Sequence, residues 1–166
     1  LDDPVAAIEI FTNVLETMPS NVVARMSLAT ALRLVGAIAP AEDQCRICID
    51  LKPDHPEAHV GLGMVMAQQG DYTSAQIAFN KALDLRPDFA IAQLNLAAAK
   101  YKNGELLGAE NNYQEIINSH PESAAAHTGL GIVLLSTGKQ KKAAEAFRSA
   151  VKLDPTQGEA WMNIAS

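Results

Sequence analysis

The side chains with the most obvious chemical capacity cluster at Cys45-Arg46-Ile47-Cys48, followed by His55 and His59. Two thiols three positions apart, ahead of two imidazoles, could form a dithiol redox pair or hold zinc. A redox CxxC needs an exposed helix N-terminus, whose dipole lowers the thiol pKa. A zinc motif of this kind places about a dozen residues between its Cys and His pairs, whereas the gap from Cys48 to His55 is far shorter. Phe79 and Ala82 stand at the matching places of the next copy of a repeated pattern. These are core types, so the thiols are expected to pack as small hydrophobes inside a helix. His127 repeats the position of His59 in the same frame, which accounts for His59 without a metal. His120 falls in a turn with no partner acid or nucleophile nearby, and Gly61-Leu62-Gly63 opens no phosphate loop. Glu9, Glu16, Glu110 and Glu115 read as solvated helix positions, and Lys139, Lys141 and Lys142 as a solvated turn with an acidic partner as the alternative. No catalytic residue, metal or cofactor is expected.

The elements that carry these residues are copies of one unit. Pro19, Pro53, Pro87, Pro121 and Pro155 recur at one constant interval, each stopping a helix. Gly36, Gly70, Gly104 and Gly138 keep the same period midway between prolines, where a helix must end and reverse. Small residues recur at helix contacts as Ala29, Gly63, Ala97, Gly131 and Ala165, and again as Ala7, Ala41, Ala75, Ala109 and Ala143. Large ones recur as Leu28, Leu62, Leu96, Leu130 and Ile164, and as Phe11, Cys45, Phe79, Tyr113 and Phe147. First-type helices are predicted at about 22–35, 56–69, 90–103 and 124–137, with another starting near 158. Second-type helices are predicted at about 5–18, 39–51, 73–85, 107–119 and 141–153. With 48% hydrophobic and 19% charged residues the chain folds, and 5% aromatics with abundant alanine suit packed helices. A net charge of −6 argues against nucleic acid, and no apolar run is long enough to insert in a membrane.

Leu62-Gly63, Ala75, Phe79, Ala82 and Pro87 follow the L-G…A-x3-F…P signature of the tetratricopeptide repeat, and the chain resembles that family along its whole length. The resemblance divides it into a half repeat at 1–21, full repeats at 22–55, 56–89, 90–123 and 124–157, and a partial repeat at 158–166 containing Trp161. It implies an all-α right-handed superhelix, an α-solenoid, with first-type helices on the concave side. Both ends cut a repeat, which suggests a window from a longer array, or half repeats that complete each other head to tail between chains. Lys100 and Cys45 depart from the family's large residues and suggest loose packing at those points.

The resemblance also implies a binding groove along the first-type helices. Its positions carry Met26, Thr30, Val60, Gly61, Met64, Gln68, Leu94, Asn95, Ala98, Tyr101, Thr128, Ile132 and Asn163. This floor is apolar, and its methionines can adapt to a ligand. The lysine, asparagine and arginine clamp with which relatives bind acidic chaperone tails is absent apart from Asn95. The expected function is a protein-interaction scaffold that takes a peptide, an amphipathic helix or a partner protein. A non-catalytic arm of a larger enzyme, such as a glycosyltransferase, and a self-assembling array are the alternatives. Two reduced cysteines fit the cytoplasm better than an oxidising compartment.

Overall fold

A computed structural model describes residues 3–156. Among them run nine helices: α1 (Pro4–Thr17), α2 (Val22–Leu34), α3 (Ile38–Leu51), α4 (Pro56–Gln68), α5 (Tyr72–Leu85), α6 (Ala90–Lys102), α7 (Leu106–Ser119), α8 (Ala124–Ser136) and α9 (Gln140–Leu153). Every predicted boundary among them falls at or next to the observed one. The even-numbered helices are first-type and the odd-numbered second-type. The predicted helix near 158, with Trp161 and Asn163, lies outside the described residues.

Local chemistry places the breaks. Asp3, Asn21, Asp71 and Ser123 each accept a backbone N–H in the first turn of the helix that follows, and Pro4 and Pro56 occupy first positions where no N–H is needed. At the other end of α4, Gly70 N–H donates to Ala67 O at 3.1 Å and Asp71 N–H to Met66 O at 3.0 Å. This pair of hydrogen bonds requires the left-handed backbone, φ +83°, that glycine adopts without strain. The same pair recurs at Gly36, Gly104 and Gly138.

The proline turns are fastened by side chains. His59 Nε2 lies 2.9 Å from Pro53 O, and His127 Nε2 lies 3.0 Å from Pro121 O. Arg25, at the same repeat position, donates from Nε to Pro19 O at 2.8 Å. Both histidines therefore anchor a helix to the turn before it.

The described residues form two compact units, 3–92 and 93–156. In the first, α1 to α5 pack each against the next, and α2 also touches α4. In the second, Ala97 of α6 shares a core with α7, α8 and α9 that centres on Tyr113, Val133 and Phe147. Large and small residues interlock. A Cβ on Gly63 would lie 2.5 Å from the Phe79 ring, and one on Gly131 would lie 2.6 Å from the Phe147 ring. Both rings are fully buried, so the glycines are what allow α4 to meet α5 and α8 to meet α9 this closely.

Where the first helix carries alanine instead, the second-type residue turns to a different neighbour. Tyr113, paired in sequence with Ala97, lays its ring where a Cβ of Gly129 would be. Cys45, paired with Ala29, faces Gly61 in the same way, its Sγ 3.2 Å from the position of a Cβ there. The packing thus alternates between successive repeats, a double period laid over the single one.

Two expectations need correction. Cys45 is not left in a loose, open site: it is 1% exposed, because it packs in a core cluster with Ala29, Ala41 and Val65. Lys100 donates to Asn112 Oδ1 at 3.3 Å, so a polar contact holds the site where an apolar one is usual.

Candidate functional site

Five of the expected groove residues come together in the first unit. Met26 and Thr30 from α2 and Val60, Gly61 and Met64 from α4 line a cleft of about 450 Å3 together with Phe89 and Ile91. The helical repeat dictates this: residues four apart on one helix share a face, and the two helices run side by side. Exposed Val23 and Ile91 extend the apolar surface at the mouth. The polar edge is an ordered group. Glu57 pairs with Arg86 Nη1 and with His55 Nδ1, each at 2.8 Å, and the Arg86 guanidinium stacks 4.5 Å above the Phe89 ring. Burial pushes the Glu57 carboxyl up, but its own backbone N–H, Arg86 and His55 together outweigh this and hold it below its usual value.

Not every expected residue presents its side chain. Val60 and Thr128 are 5% and 6% exposed, so they support the floor from beneath rather than form its surface. Met26 and Leu94, at the same repeat position, are only half-buried. Gln68 and Tyr101 serve stacking as well. Gln68 exchanges long 3.4 Å hydrogen bonds with Arg33, and Tyr101 Oη lies 3.0 Å from Ser136 Oγ. Both ties join neighbouring first-type helices. In the second unit Leu94, Tyr101 and Ile132 lean on the core, Asn95 and Ala98 are half-buried, and Asn163 lies outside the described residues.

The opposite face carries a larger furrow of about 780 Å3 between α3 and α5, floored by Leu62 and Met66 and edged by Glu42, Arg46 and Lys81. A smaller one of about 270 Å3 lies between α7 and α9, at the matching positions two repeats further on. Its recurrence marks it as a product of helix stacking. Sequence reasoning missed this face, though Ile77 signalled it: it is exposed where the other copies carry Glu9, Asp43, Asn111 and Glu145.

Both thiols are buried and held away from the reactive thiolate form. Burial, and then Cys48, push the Cys45 thiol up to about 12, and burial likewise raises Cys48. Among the described residues no group of three or more His, Cys, Asp or Glu is arranged to hold a metal, and no helix is long and apolar enough to cross a membrane. Lys139 is less free than its turn suggested, since it pairs with Glu110 at 2.7 Å.

These alternating helices, glycine turns and proline stops define an all-α repeat fold of the solenoid class. Family models described as "Tetratricopeptide repeat" and "TPR repeat" match residues 94–158 and 65–104, which together span more than half of the chain. The chain belongs to the tetratricopeptide-repeat family. Its fold is similar to a thermophilic tetratricopeptide-repeat protein, TTC0263, of Thermus thermophilus, at 18% identity over 98% of this chain and 89% of that one, with a TM-score of 0.84. It is similar to MamA from Desulfovibrio magneticus RS-1, at 21% identity over 93% and 88%, TM-score 0.79. A third likeness is to YrrB, described as having an unusual peptide-binding site, at 21% identity over 95% and 81%, TM-score 0.73. At such identities the likeness concerns the fold alone. No curated protein matches the sequence significantly. The fold is that of a protein–protein interaction scaffold.

Proposed function

We propose that this chain binds an apolar peptide segment or helix of a partner protein in the cleft between α2 and α4, and that it binds without catalysing a reaction. The observation that carries this reading is the cleft's lining: Met26, Gly61 and Met64 over buried Val60, with exposed Val23 and Ile91 at its mouth. A monomeric surface rarely keeps apolar side chains contiguous without use. Each ~100 Å2 of partner apolar surface buried there would contribute about 2.5 kcal/mol. The charged edges of the larger furrow, and its recurrence with the stacking, make it the weaker candidate.

Panning a library of displayed peptides against the full chain, then measuring the enriched peptides against Met64→Glu, tests the reading. Enriched peptides should carry aliphatic or aromatic residues and lose about tenfold or more in affinity, since a charge in an apolar contact costs more than about 1.4 kcal/mol. Peptides that bind Met64→Glu as tightly as the wild type would move the site elsewhere.

A further inference from the structure

The two units differ at one matched slot. In the second unit, the space above Gly129 is filled from within by the phenol ring of Tyr113, which overlaps the place of a Cβ there. The corresponding residues two repeats earlier are Gly61 and Cys45. Cysteine is far smaller than tyrosine, and the vacated volume is filled from the opposite side. The methyl end of Met26 lies 2.7 Å, and its sulfur 4.0 Å, from where a Cβ on Gly61 would stand. Met26 is rooted in the cleft wall, half-buried, on an unbranched side chain with three rotatable bonds. Tyr113 is a permanent filling, whereas Met26 can swing out.

We propose that the space above Gly61 is a specificity subsite that takes an aromatic side chain of the bound segment, with Met26 as its displaceable plug. This rests on the cleft being the binding site and adds the class of anchor residue. The occupant follows from the molecule's own second copy, where a six-membered ring sits over the equivalent glycine. Cys45 forms the back of the slot, and Gly61 gives the ring access because it has no side chain. Aromatic anchors in such desolvated slots carry a large share of binding energy.

The probe is p-cresol, the side chain of tyrosine, titrated into the full chain labelled with 13C at the methionine methyls. The Met26 resonance should shift saturably. Cys45→Tyr supplies the ring internally and Gly61→Ala fills the slot from below, so each should weaken p-cresol by at least about tenfold. Should Cys45→Tyr fail to fold, as judged by its circular dichroism, Gly61→Ala decides alone. A Met26 resonance unmoved by p-cresol, or a shift that persists with equal affinity in Gly61→Ala, would overturn the subsite. Displayed peptides that still bind in a Met64-dependent way would then leave the cleft standing and remove only the slot. Saturable p-cresol uptake with no peptides selected would support the slot and fail the cleft reading.

Discussion

The first and second units solve the same packing problem with different side chains. Gly63 under Phe79 and Gly131 under Phe147 are one solution used twice. The Cys45–Gly61–Met26 and Leu94–Tyr113–Gly129 sets are where the units part. In the second, an aromatic ring closes the core and leaves the adjoining face fixed. In the first, a small thiol leaves that closure to a flexible thioether from the cleft. The shared solution holds the helices together, and the variable one sits where a partner would touch.

Phe79→Ala should have the largest effect on stability, a loss of about 3–5 kcal/mol by chemical denaturation, because the ring is 1% exposed. Tyr113→Cys copies the first unit's residue into the second. Leu94 is shorter than Met26 and reaches the vacated space poorly, so a cavity should remain and cost about 2–4 kcal/mol. No measurable loss would mean that the two slots are equivalent after all. Gly63→Ala should destabilise by about 1–2 kcal/mol, the overpacking against Phe79 exceeding the ~1 kcal/mol gain in helix propensity. Gly108→Ala is the control. Its Cβ would meet the Lys100 side chain at 3.4 Å and Glu105 Cβ at 4.0 Å, both ordinary contacts, so it should stabilise by up to about 1 kcal/mol.

A separate effect is one of pH. The Cys45 thiol is raised from 9.0 to about 12 in the folded chain. Its contribution is therefore fully present below pH 9 and is lost as pH rises toward 12, where the unfolded chain binds fewer protons than the folded one. Stability should fall more steeply over this range in the wild type than in Cys45→Ala, and an identical slope would refute the assignment.

The frame was legible because it rests on local rules. Gly70 and Pro87 state where a helix ends, and Leu62, Ala75 and Phe79 state which face is buried. The buried cysteines were legible too, from Phe79 and Ala82 one period on. The two-repeat alternation was not read, although Gly61-Leu62-Gly63 and Gly129-Leu130-Gly131 carry it in plain sequence. Its meaning depends on which neighbour a ring turns toward, and that is decided by the volume at Ala29, Gly63, Ala97 and Gly131 together. Within the candidate site, register predicted which residues face the cleft but not how deep each lies. Val60 is fully buried while Met26 is only half-buried at the same repeat position. Gln68 and Tyr101 gave no sign of their ties to Arg33 and Ser136, which depend on the spacing of neighbouring helices.

Methionine methyl spectra offer the most direct test of the binding face, because the residues report from different surfaces. Met26 and Met64 line the cleft, while Met66 floors the furrow behind it. On titration with a library-selected peptide, the Met26 and Met64 resonances should move together while that of Met66 holds still. Movement of Met66 with Met26 and Met64 unchanged would place the partner on the opposite face and contradict the account.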